Sequence, residues 1–172
     1  MVYIPRAYIS KEMFDEAEKE YSLCVDRKVS AIVLAEYLHY LIRHQKIEHA
    51  FELCQSSLID RQWQDGELAL LMKIYSQLIL KTNRVELDSK VIEIAAGSRE
   101  KDQIVDAVAS ELLKTYSTDY QSILPSLKQI VEAFQIADRV DRREWFIRFQ
   151  LAVTTSAITE KHLLVKEFAY LN

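Results

Sequence analysis

With 172 residues, a net charge of −4, 49% hydrophobic and 28% charged side chains, the chain can bury a core of its own and is too apolar to stay disordered. Its mild acidity gives no electrostatic reason to expect nucleic acid or an anionic membrane as the main partner. Glycine and proline occur twice each, where an average chain would carry about a dozen glycines. So few breakers argue against tight β-hairpins and for helices joined by short polar turns.

Taken in chain order, residues 1–9 are expected to form an extended N-terminal arm, because Pro5 opposes an early helix. Ser10 can cap a first helix running to about Lys28, with Phe14, Ala17, Tyr21 and Cys24 at helical spacing. Ser30 can cap a second, carrying Val33, Leu34, Tyr37, Leu38, Leu41 and Ile42. The third is "QKIEHAFELCQSSLIDRQ", with Ile47, Ala50, Phe51, Cys54 and Leu58 on one face. Asp65-Gly66 marks a break. The fourth helix, "ELALLMKIYSQLILK", is apolar nearly all round and belongs at the centre of the fold, with Asn83 ending it.

The second half reads the same way. "LDSKVIEIAAG" is a short helix closed by Gly97 as a C′ residue. Ser98 opens a helix through Ile104, Val108, Leu112 and Tyr116. Thr118 to Gln121, "TDYQ", fits a capping box, and Pro125 either kinks the next helix or sits in its first turn. Asp141 to Glu144, "DRRE", fits a second capping box, before Trp145, Phe146, Phe149 and Val153. "TEKHLLVKEFAYLN" closes the chain as a last helix, able to cap its own core or to dock on a second copy. The expected fold is all-α: a single domain, 10–172, of eight or nine antiparallel helices, either repeat-like hairpins or an irregular bundle.

Several chemistries are excluded. Two isolated glycines cannot build a phosphate-binding loop or a nucleophile elbow. Cys24 and Cys54 lie on apolar faces and read as buried, reduced thiols. His39, His44 and His49 recur every five residues, a step of ~140° on a helix, and His162 stands apart, so no metal site is expected. Glu-x-x-His occurs once, at Glu36–His39, where a di-iron bundle needs it on two helices, so that chemistry is not expected. The chain is therefore read as no enzyme, with no catalytic residue and no cofactor. "MVYIPRAYIS" lacks the pattern of a signal peptide, and no apolar run is long enough to span a membrane. The expected compartment is cytoplasmic.

Aligning Phe14 onward with Ile47 onward places Ala17 on Ala50, 33 residues apart. Leu34, Tyr37, Leu38 and Leu41 fall on Leu68, Leu71, Met72 and Tyr75, 34 residues apart. Residues 31–64 thus resemble a tetratricopeptide repeat, a helical hairpin of 34 residues. The family's tryptophan, glycine and closing proline are Leu34, Leu38 and Gln62 here, and the position 34 past Ala50 is Arg84. The resemblance implies stacked hairpins with a groove that takes a peptide or helix. It places His39, Arg43, Lys73 and Gln77 on the groove side, a strip suited to an acidic peptide or a C-terminal carboxylate.

The expected function is that of a non-enzymatic adaptor or chaperone-like module binding another protein. The chain's nine Tyr, six Phe and two Trp also point toward a binding surface. An alternative is a nucleic-acid-associated regulator using Arg139, Arg142, Arg143 and Arg148, which lie near Trp145 and Phe149. Interleaved Asp138, Asp141 and Glu144 make that segment almost neutral, and a helix junction laced with ion pairs explains it locally.

Overall fold

The computed structural model describes residues 3–11, 13–26, 30–84, 86–114 and 119–172. Among them are ten α-helices: α1 (Tyr3–Ser10), α2 (Phe14–Asp26), α3 (Ala31–Arg43), α4 (Ile47–Asp60), α5 (Asp65–Lys81), α6 (Ser89–Ala96), α7 (Lys101–Lys114), α8 (Leu124–Ala133), α9 (Arg142–Thr155) and α10 (Lys161–Glu167). Three single 3₁₀ turns, at Tyr120–Ser122, Ile136–Asp138 and Ala169–Leu171, complete the described elements, which include no strand. The all-α expectation holds, and one continuous core runs from Tyr21 to Leu171.

The helices from α1 to α5 each pack on the next, as do α6 on α7, α7 on α8 and α9 on α10. From α3 to α7 each also packs on the helix two places along: α3 on α5, α4 on α6, α5 on α7, α6 on α8 and α7 on α9. That order of contact sorts the helices into an odd-numbered and an even-numbered layer. α5 touches α3, α4 and α7, and it buries Leu68, Leu71, Met72, Ile74, Tyr75, Leu78 and Ile79. Its place at the centre follows from its apolar girth.

The N-terminus departs from expectation. Residues Tyr3–Ser10 are helical, not an extended arm, and pack on α2. Pro5 is the third residue of α1, within the first turn, where a backbone N–H has no intrahelical acceptor and its absence costs nothing. Ser10 is the last residue of α1, and α2 starts at Phe14; Lys28 lies outside the described residues. α1 also reaches α3, through hydrogen bonds from the Arg6 guanidinium to the Glu36 carboxylate. The arm's supposed place is therefore filled by a helix that pairs with α2.

Turn chemistry departs from expectation in an informative way. Gly97 follows α6 with φ −78°, a right-handed conformation, so it is not a left-handed closing residue. The left-handed positions fall on Gln45 (φ 59°), Asn83 (φ 52°), Gln135 (φ 51°) and Glu160 (φ 55°). After α3, Gln45 N–H donates to the Ile42 carbonyl and Lys46 N–H to the Leu41 carbonyl. After α5, Asn83 and Arg84 N–H donate to Leu80 and Ile79. Both are Schellman closures built without glycine. A glutamine in this conformation carries steric cost that glycine avoids. Gln45→Gly is accordingly expected to stabilise the fold by about 0.5–1 kcal/mol, seen as a higher urea midpoint at unchanged slope.

Helix starts are also secured differently from the sequence pattern. Glu67 in α5 accepts from Gln64 N–H and also from Ala31 N–H at 3.2 Å, so one carboxylate serves the first turns of both α5 and α3. Asp88 caps α6 by accepting from Lys90 and Val91 N–H. Thr118 lies outside the described residues, and Asp119 accepts from Gln121 N–H in its place. Pro125 takes the first-turn position of α8 without a kink. Asp141 does not cap α9, because its carboxylate is held by Arg139 at 2.7 and 2.8 Å. At the C-terminus, Leu164, Phe168 and Leu171 are fully buried, so this segment covers the domain's own core.

Candidate functional site

The aromatic residues go mostly inward. Tyr21, Tyr37, Tyr40, Phe51, Tyr75, Phe134, Trp145, Phe146, Phe149 and Phe168 are all buried. Tyr21 stacks on Tyr37 at 5.2 Å, Phe51 on Tyr75 at 5.5 Å and Trp145 on Phe149 at 5.4 Å. Burial pushes the Tyr37 and Tyr75 hydroxyls up to about 12. Aromatic abundance is thus largely core material. The two cysteines are free and buried, and burial pushes the Cys54 thiol far up, leaving it an inert packing group.

The histidines do not converge. His44 follows α3 and packs on Tyr40 (4.3 Å) and Phe14 (4.9 Å), while His49 on α4 meets the edge of Tyr37. His39 lies on another face of α3, beside Arg43 and Lys73, and His162 is exposed on α10. Among the described residues no group of three or more His, Cys, Asp or Glu side chains could hold a metal ion.

His39, Arg43, Lys73 and Gln77 do come together on the odd layer. His39, Arg43 and Lys73 are exposed at the junction of α3 and α5, and Gln77 is half-buried one turn beyond Lys73. His39 reports the local field. Its proton affinity is lowered first by partial burial, then by Arg43 and by Lys73. The sequence reading missed a fifth member, Glu111 on α7. It is 8% exposed, accepts from Gln77 Nε2 at 2.6 Å and lies 3.9 Å from Lys73 Nζ. The signal was visible, since Glu111 falls on the apolar stripe of Ile104 and Val108, where a carboxylate needs partners. Glu111 holds Gln77 in place and leaves Arg43 and His39 as the outermost polar groups of the strip.

Further along the same layer, α7 and α9 enclose a cavity of about 220 Å³ lined by Ala109, Leu113, Trp145, Phe149 and Ala152, with Asp106, Ser110 and Arg148 also at its walls. Burial raises the Asp106 carboxyl's proton affinity, and Arg148, with Nη2 3.5 Å from Asp106 Oδ2, acts against it.

The alternative arginine set is dispersed by its own acids. Arg139, only 15% exposed, bridges Asp102 and Asp141. The bridge holds the Asp141 carboxyl below its usual range. Arg148 binds Glu144 and Asp106, and Arg142 donates to the Ala137 carbonyl. Arg143 is exposed beside Glu144. Cations already matched to carboxylates release few counterions to a phosphate backbone.

No family model, curated protein or solved structure matches this chain. No described helix is long and apolar enough to cross a membrane.

Proposed function

We propose that the chain is a non-enzymatic protein-binding module whose hairpins stack in the manner of a helical repeat and present the odd layer to an acidic peptide. One observation carries the reading: α3 packs on α5 with His39, Arg43 and Lys73 exposed there, and both cations lower the proton affinity of His39. Glu111 stands 3.9 Å from Lys73 Nζ on the α7 side, and on the exposed side a peptide carboxylate is the ligand that matches Arg43 and Lys73. The packing of α3 on α5 and α5 on α7 supports the stack. Helical repeats bind extended ligands on such surfaces.

Fluorescence polarisation with labelled acidic peptides, against glycine–serine controls of equal length, tests the proposal. Saturable binding that weakens with salt is expected. Equal signals from acidic and neutral peptides would remove it.

His39 adds a pH signature. Its folded proton affinity lies below the ordinary value of 6.5, so the free strip holds it neutral at pH 7. A bound carboxylate favours the imidazolium. Affinity is therefore expected to rise as pH falls from 7.5 toward 5.5, and to drop again only when the peptide's own acids protonate. The folding linkage has the opposite sense. A lowered histidine gives stability that is full above 6.5 and declines as pH falls through the folded value. His39→Gln should flatten the binding profile between pH 5.5 and 7.5. An unchanged slope in that variant would exclude His39 from the strip's chemistry.

A further inference from the structure

We propose that the notch between α7 and α9 receives one leucine-sized aliphatic side chain of the same acidic peptide, an inference that rests on the reading of the Arg43–Lys73 strip. The notch is lined by the buried Leu113, Trp145 and Phe149, by Ala109 and Ala152, and by Asp106, Ser110 and Arg148 as its polar groups. Its volume, about 220 Å³, exceeds the roughly 150 Å³ that lets an apolar cavity take benzene. Ala109 and Ala152 leave this space open because they carry only a methyl each.

The polar groups suit an extended backbone. Asp106 can accept an N–H, and Arg148 can donate to a C=O, on either side of the inserted side chain. The same Asp106, with Glu144 held by Arg148 nearby, disfavours an acidic residue at this end. The ligand is thus acidic over α3 and α5 and aliphatic over α7 and α9.

Spacing follows from helix packing. The strip and the notch lie about two to two and a half helix spacings apart across the odd layer, at 8–10 Å each. An extended chain rising about 3.3 Å per residue covers that span in roughly five to eight residues. Three side chains carry the inference: Arg43 at the acidic end, Lys73 between, and Trp145 in the notch.

Trp63 and Trp145 are the only two tryptophans, so Trp63→Phe leaves Trp145 as the sole indole reporter. Two synthetic decapeptides serve as probes. Both carry an Asp-Glu pair at one end; one has leucine seven residues on, and the other has glycine there. Expected are about tenfold tighter binding of the leucine peptide and a shift of Trp145 emission with that peptide alone. Ala152→Phe, which fills the notch, should bring the leucine peptide down to the glycine one. Arg43→Glu with Lys73→Glu should weaken both and preserve their ratio.

Equal affinities with an unmoved Trp145 would overturn the notch and leave the strip standing. Binding of neither peptide would overturn the strip. In that case N-acetyl-leucine amide at millimolar concentration addresses the notch separately. A saturable Trp145 response that Ala152→Phe removes supports it, and no response overturns it.

Discussion

The double variant Arg43→Glu, Lys73→Glu is expected to bind acidic peptides at least about a hundredfold more weakly than the parent. Each substitution removes an attractive charge and adds a repulsive one, on side chains that are exposed and lie on the free side of α3 and α5. Neither long side chain is needed to fill the core, so the fold should survive. Glu111, 3.9 Å from Lys73 Nζ, would face a like charge in the variant, a modest cost because Lys73 is half-exposed. A second readout needs no ligand. The two cations lower the proton affinity of His39 in the parent, so replacing them with acids should raise it, measurable by NMR titration of the imidazole. A variant whose His39 titrates as in the parent would show that the three side chains do not share a field. Reduced binding at 50 mM salt that converges with the parent near 1 M would identify the loss as electrostatic.

Much of the fold was legible because it depends on composition and period. Nine helices, α2 to α10, could be placed from apolar spacing and cap residues, since burial of one stripe is what makes a short helix stable. What the sequence pattern misjudged were backbone details that several residues can satisfy equally well. Pro5 was read as a barrier, yet in the first turn of α1 it removes an N–H that had no acceptor. Asp141 matched a helix start, but Arg139 claims its carboxylate. The glycine count pointed to few sharp turns. In the structure, glutamine and asparagine occupy the left-handed closures while Gly97 does not.

The strip is a different case. The repeat resemblance implied a strip of His39, Arg43, Lys73 and Gln77; in the structure Arg43 and Lys73 act on His39, and Gln77 is bonded to Glu111. Glu111 and the α7–α9 notch escaped because they depend on which helix packs beside which. That is a three-dimensional fact with no local signature. The ion pairs expected locally around Arg139 and Arg148 also extend to Asp102 and Asp106, thirty-seven and forty-two residues away on α7, which local spacing does not show.

Tyr75→Ala is expected to cost about 3–5 kcal/mol, a large part of the 5–15 kcal/mol typical of a domain. The reason lies in how the repeat-like spacing breaks. The odd helices α3, α5, α7 and α9 start at residues 31, 65, 101 and 142, so the first interval is 34 and the later ones lengthen. The even helices α4 and α6 start at 47 and 89, already 42 apart, because α5 runs for 17 residues and residues 82–88 follow it before α6 begins. This is why the position 34 past Ala50 falls on Arg84, which lies in the connection and stacks its guanidinium 4.1 Å over Phe51. The long connection is pinned at three points. Tyr75 OH accepts from Asp88 N–H at 3.2 Å, Gln55 Nε2 donates to Asp88 Oδ2 at 3.0 Å, and the Gln129 amide bonds both backbone groups of Leu87. Tyr75 is fully buried against Phe51, so truncation removes a packed ring and also the anchor of the residue that caps α6. Tyr75→Phe separates the two contributions, with an expected loss of about 1 kcal/mol for the hydroxyl alone. Urea denaturation of both variants checks the ranking. A Phe variant as unstable as the Ala variant would move the whole effect onto the Asp88 contact, and an Ala variant within 1 kcal/mol of the parent would mean that the connection, not the ring, sets the geometry of α6.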